Sequence, residues 1–188
     1  MSRIRTPTGS FSPQQFADVS MRRRFIQAVL DRQNEISPTH FVAPGFYIES
    51  PASPWITVNE LLLKDTKAET GGRLYATVCG SYDGIVRRDS QYGLIYGRSA
   101  AELGVEGALV LISPLSARSA GPTKLLRILQ FFEALQDGGL NVVACRQPAF
   151  GLGCLAFGVG GFDSGVASSE AFRFPCPYPT PAATERAT

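Results

Sequence analysis

This chain of 188 residues has one histidine, His40, and three lysines, and its four cysteines, Cys79, Cys145, Cys154 and Cys176, form no C-x-x-C pair. The zinc spacings built on paired cysteines and histidines are therefore missing, and no metal site is expected. No apolar run approaches the roughly 18 residues of a membrane span, and residues 1–12 lack the apolar core of a secretory signal. A cytoplasmic protein without a membrane partner is the expectation. No G-x-x-x-x-G-K-[ST] phosphate loop occurs, and Gly151-Leu152-Gly153 is only the start of a dinucleotide fingerprint with no strand directly before it. No cofactor is expected. A net charge of +2 is too small to dictate a polyanionic partner.

Hydrophobic residues make up 44% and charged residues 18%, the balance of an ordinary globular protein, and the length suits one domain with a sizeable core. Fifteen arginines stand against the three lysines. Arginine suits bidentate phosphate binding, but the imbalance reads first as a codon-composition bias. Arg22-Arg23-Arg24, on a helix, spreads over most of its circumference. It reads as a solvated face, with nucleic-acid contact as the sharper alternative. Cys145 and Cys154 read as small buried apolar side chains.

The informative pattern is a β/α rhythm. Residues 1–11 are polar and predicted disordered. Ser12-Pro13 offers an N-cap and a first-turn proline, and the helix that follows must end before Pro38. Apolar strand-like runs then recur about every 33 residues: Phe41 to Ile48, Leu74 to Val78, Ala108 to Ile112, Asn141 to Cys145, and a very short Gly161-Phe162-Asp163. Helical stretches separate them. Ser53-Pro54 opens one with Trp55, Val58, Leu61 and Leu62 on one face, and Gly71-Gly72 ends it. Residues 88–103 form another, weakened by Gly93 and Gly97. Pro122 to Gln136 is the clearest, with Leu125, Leu126, Leu129, Phe132 and Leu135. Phe150 to Phe157 is short and apolar. One α/β domain over residues 12–173 follows, then a proline-rich tail over 174–188.

Strands that are apolar throughout, alternating with helices, call for a parallel sheet with right-handed crossovers. A complete eight-stranded barrel typically needs ~250 residues. The expected fold is therefore the C-terminal five strands of a TIM-type barrel, with an open doubly wound sheet as the alternative. Five barrel strands leave two bare edges, which a partner chain or an oligomer would cover.

In a parallel sheet the loops after the strands share one rim, where α/β enzymes place their chemistry. That rim gathers Glu49, Ser81, Tyr82, Asp83, Ser113, Ser116, Arg118, Arg146, Gln147, Asp163 and Ser164. Asp163, ending an apolar strand, is the leading catalytic candidate; its bland reading is an aspartate that bonds turn amides or caps a helix. Asp83, in Gly80-Ser81-Tyr82-Asp83-Gly84, is either a second catalytic acid or a turn residue. Arg146, Gln147, Ser113, Gly160, Gly161 and Ser164 are the substrate-binding candidates. The glycines would let backbone amides approach an anion, and Arg146 wants either an anionic ligand or Asp163 one β/α unit away. His40 precedes its strand and so lies on the opposite face, which argues against a Ser-His pair.

Gly158-Val159-Gly160-Gly161-Phe162-Asp163, together with Leu74-Tyr75-Ala76-Thr77-Val78-Cys79-Gly80, resembles the tRNA-guanine transglycosylase barrel over residues 73–165. That family has a last β/α step of the form G-V-x-x-F-D, whose aspartate is the covalent nucleophile. The resemblance implies base exchange on an RNA or nucleotide substrate, with Asp163 attacking the glycosidic carbon and Arg146 and Gln147 beside it. The family's zinc site, its N-terminal strands and its basic segment after the nucleophile have no counterpart here. Residue by residue, Asp163 alone transfers.

Overall fold

In the computed structural model the described residues are 11–86, 91–113, 120–146 and 148–163. The chain runs α1 (Val19–Asn34), β1 (Phe41–Val42), α2 (Trp55–Thr70), β2 (Leu74–Ser81), α3 (Tyr92–Glu102), β3 (Gly107–Ser113), α4 (Pro122–Asp137), β4 (Asn141–Cys145), α5 (Pro148–Ala156) and β5 (Gly161–Asp163). The strands form one parallel sheet in the order β1-β2-β3-β4-β5, curled into a half-barrel. A doubly wound sheet reverses its strand order at a switch point. This order never reverses, so the open alternative falls and the partial barrel stands.

Side-chain alternation explains the curl's two faces. Leu74, Ala76, Val78, Ala108, Val110, Ile112, Val142 and Ala144 are buried beneath the helices. The intervening Tyr75, Thr77, Leu109, Leu111, Val143 and Cys145 turn to the concave side and are only half-buried. The helix layer is drawn close by glycine. A methyl at Gly97 of α3 would stand 2.8 Å from the Leu135 carbonyl oxygen and 3.0 Å from the Gly138 Cα of α4, and Gly93 faces Phe131 and Ala134. The glycines that weaken α3 as an isolated helix are thus its packing surface. Helix α4 rotates slightly from expectation: Ile128 and Phe131 join Phe132 and Leu135 in the core, while Leu126 is exposed.

Two boundaries move for local reasons. The first helix divides into a short 3-10 turn, Pro13–Ala17, and α1, because Asp18 caps α1 by accepting from the Ser20 amide at 2.9 Å. The long first strand shrinks to Phe41–Val42 and returns only as a bridge between Ile48 and Gly80. Pro44 has no N–H to give to the ladder, and Asn59 of α2 takes over both Phe46 backbone groups at 2.8 Å.

A second core lies under α1. Phe16, Ile26, Leu30, Val58 and Leu62 are buried there with Phe25, Phe46 and Trp55 against them. Phe46 stacks on Trp55 at 4.3 Å, and Phe11, expected in the disordered leader, meets Phe16 edge-on at 5.6 Å. Arg22 corrects the solvated reading of the arginine triple. It is buried, bonds Asp65 through Nε at 2.7 Å, and donates to the carbonyls of Phe16 at 2.7 Å and Ala17 at 3.1 Å. Arg23 and Arg24 are exposed.

Candidate functional site at the strand-end rim

Strands β4 and β5 bring Asp163 beside Cys145 in register, both facing the concave side. The chain then leaves β4 through Arg146, whose φ of 58° lies in the left-handed region. A bulky non-glycine residue pays for that conformation and keeps it where the surroundings demand it. The turn sends the guanidinium back over the sheet end, with Nε 3.9 Å from Asp163 Oδ2. Both side chains are about half exposed, 46% and 54%, so the pair is open to a ligand from the rim.

The remainder of the rim is braced by hydroxyls. Ser81 Oγ donates to the Glu49 carbonyl at 2.6 Å and accepts the Gly84 amide at 2.8 Å, pinning the turn after β2. Tyr47 donates to the Ser113 carbonyl at 3.0 Å, tying the segment after β1 across to β3. Ser113 itself is 2% exposed, which makes it a wall of the rim rather than an open binding group. Asp83 is exposed in the π-helical turn Tyr82–Val86, three strands from Asp163.

Gly160 and Gly161 sit below this level. Gly161 opens β5 opposite Val143, where a Cβ would make only ordinary contact, while Gly160 lies against the Asn141 side chain and has no room for one. Gln147 and Ser164 lie outside the described residues, as do Ser116 and Arg118.

The cysteines are held as thiols. Burial pushes Cys79 up to about 12, with the charge of Cys145 adding to it. Burial pushes Cys145 up to about 11, where the negative charge of Asp163 adds and Arg146 opposes. Cys154 is likewise raised to about 11 by burial. A thiol is a nucleophile only as thiolate, so thiol chemistry at neutral pH is disfavoured on this face. Mutual influence of Cys79 and Cys145 fits their placement on either side of Leu111 on one concave row. No group of three or more metal-binding side chains exists among the described residues.

The opposite end of the sheet is structural. His40 Nε2 meets Glu106 Oε2 at 3.2 Å and its ring lies edge-on to Tyr75. Arg73 Nε reaches both Glu106 oxygens at 3.0 and 3.1 Å. The hydrogen bond from Arg73 holds the Glu106 carboxyl below its usual range, assisted by His40. Sequence reasoning missed Tyr47 and Cys145 as rim neighbours. Strand alternation from Val143 was the signal that could have found Cys145; nothing marked Tyr47.

Compared with known proteins, the chain matches no family model and no curated protein. No helix among the described residues is long and apolar enough to cross a membrane.

Proposed function

We propose that this is a barrel-type enzyme domain acting at the strand-end rim on a nucleobase- or phosphate-bearing substrate. The observation that carries the reading is the Arg146–Asp163 pair: an accessible carboxylate and a strained arginine 3.9 Å apart on the concave end of adjacent strands. Arginine's planar fork suits a phosphate, and a carboxylate suits attack on an anomeric carbon. In the transglycosylase-like form of the reaction, an Asp163 oxygen bonds to ribose C1′ as the C1′–N bond breaks. The departing base carries away the bond's electron pair and takes up a proton. An incoming base then gives up its proton, bonds to C1′ and restores the carboxylate. Arg146 orients the flanking phosphate and the carboxylate itself. Ser113 walls the rim at the end of β3, and Asp83 stands on the same rim after β2, three strands from Asp163.

The test is incorporation of labelled guanine into a guanosine-containing RNA stem-loop by the full chain and by Asp163→Asn. Exchange that vanishes in the variant supports the reading. Exchange unchanged in Asp163→Asn ends the nucleophile role, and no exchange by the unsubstituted chain ends this reaction.

A second reading is a non-catalytic assembly domain. Its support is the half-closed sheet: among the described residues β1 and β5 each leave an edge, and Leu109, Leu111 and Val143 are only half-buried on the concave side. Two observations count against it. The apolar residues of the 13–48 segment are largely spent in the α1 core, and Asp163 faces a cation. Light scattering over a concentration series separates the two readings, since assembly through the sheet predicts a mass above the monomer.

A further inference from the structure

The helix layer carries a cavity that the rim chemistry does not use. It lies between α2 and α3, on the convex side of the sheet, with a volume of about 530 Å³. That is within the range of small-molecule sites, which are mostly apolar with a few convergent polar groups. Its floor is Leu63 and Ala100, 4% and 1% exposed, and its lip is Ile95 and Leu103, 56% and 37% exposed. Large apolar side chains at an open lip are what a ligand would cover. Tyr92 and Tyr96 form an aromatic wall, their centroids 6.0 Å apart, and Tyr92 is itself backed by Phe131 at 6.5 Å.

The polar groups point to the ligand's chemistry. Tyr96 is half-buried, and its hydroxyl makes no hydrogen bond among the described residues, which leaves its donor free for a ligand. Burial holds this phenol well above its ordinary pKa, with Tyr92 and Glu60 adding to the effect, so it stays a neutral donor. Glu60 and Lys64, both exposed, stand one turn apart on α2 at the mouth of the cavity. A Glu followed four residues later by Lys ordinarily pairs on a helix surface. These two make no ion pair or hydrogen bond among the described residues. Lys67, by contrast, on the same helix, is fully engaged with the carbonyls of Gly72 at 3.0 Å and Gly104 at 2.9 Å. The cavity thus offers one negative and one positive group, one hydroxyl donor, and an apolar, aromatic interior.

We propose that the cleft between α2 and α3 binds a small zwitterion with an apolar ring-bearing side chain, an aromatic dipeptide being its natural size. The ligand's ammonium faces Glu60, its carboxylate faces Lys64 with Tyr96 as a further donor, and its side chains fill the space over Leu63 and Ala100. Charge complementarity makes the choice: a simple cation leaves Lys64 unanswered, and a simple anion leaves Glu60 unanswered.

The experiment is calorimetric titration of the full chain with L-phenylalanyl-L-leucine, with its N-acetyl form and with its C-terminal amide. The expected result is saturable binding of the free dipeptide at a Kd of about 0.1–1 mM, the range open to a ligand of this size. Both blocked forms are expected to bind at least about fivefold more weakly, a loss of about 1 kcal/mol each. Glu60→Gln should erase the penalty for acetylation, and Lys64→Met the penalty for amidation. Tyr96→Phe should weaken the free dipeptide several-fold. Ser99→Trp, a substitution at an exposed helix position, should fill the cleft and abolish binding while circular dichroism reports an intact fold. Absence of saturable heat at 10 mM dipeptide would overturn the proposal. Equal affinity for all three forms would overturn it too, since the cleft would then be an unselective apolar groove. Concentration-dependent dimerisation abolished by Ser99→Trp would overturn it in favour of a second copy of the chain.

Discussion

Alanine at Gly97 should destabilise this protein, although alanine is the better helix former. The new methyl would stand 2.8 Å from the Leu135 carbonyl oxygen and 3.0 Å from the Gly138 Cα. Both obstacles are backbone, so no side chain can rotate aside, and α3 must move off α4. Overpacking of this kind costs ~1–3 kcal/mol, while the change from glycine returns ~1 kcal/mol of helix propensity. The net is a loss of about 1 kcal/mol, or roughly 2–4 °C in Tm for a chain of this size. Gly153 of α5 is the control. Nothing lies within 4 Å of its added methyl, so Gly153→Ala should gain ~0.5–1 kcal/mol. Urea unfolding followed by far-UV circular dichroism measures both. The same substitution should therefore carry opposite signs in two helices. A Gly97→Ala protein as stable as Gly153→Ala would refute the α3–α4 contact on which the helix layer depends.

Arg22→Met should cost ~2–4 kcal/mol, because it strands the Phe16 carbonyl and leaves Asp65 without its cation; urea melts of Arg22→Met and of Arg22→Met with Asp65→Leu measure the loss and its partial recovery. Glu106 has its folded pKa lowered by Arg73, so its contribution is present above the unfolded value and disappears as pH falls through the folded one. Melting temperatures taken downward from pH 6 should therefore fall more steeply for the unsubstituted chain than for Glu106→Gln. Cys79, Cys145 and Cys154 should react with iodoacetamide at pH 8 at least ~10-fold more slowly in the folded chain than in urea, the direction set by their burial and raised pKa values. Mass spectrometry of the modified peptides should also find Cys145 accelerated relative to Cys79 in Asp163→Asn, because the neighbouring negative charge is gone.

The strands were legible because burial between two layers demands apolar runs, and the near-equal spacing of Phe41, Leu74, Ala108 and Asn141 announced repeated β/α units; the strand order that excludes the doubly wound alternative came from the structure. What escaped was set by tertiary contact. Pro44 shortened β1, but only Asn59, bonding Phe46 from thirteen residues further along, makes the break stable. Arg22 looked like its neighbours Arg23 and Arg24 until Asp65 and two carbonyls enclosed it. At the site, the approach of Arg146 to Asp163 followed from one β/α step. The left-handed backbone of Arg146 had no sequence signal, since only glycine announces positive φ. The glycines before Asp163 suggested an anion cradle by composition, whereas strand register puts them at the start of β5, against Asn141 and Val143.

In the proposed reaction the accessible carboxylate of Asp163, oriented by Arg146, attacks substrate from the strand-end rim. The most direct test of this attack is an acid-quenched reaction of the full chain with a guanosine-containing RNA stem-loop, followed by peptide mass mapping. The expected result is a ribose-linked adduct on the peptide containing Asp163, absent in Asp163→Asn and reduced in Arg146→Met. An adduct on any other residue, or one that survives in Asp163→Asn, would contradict it.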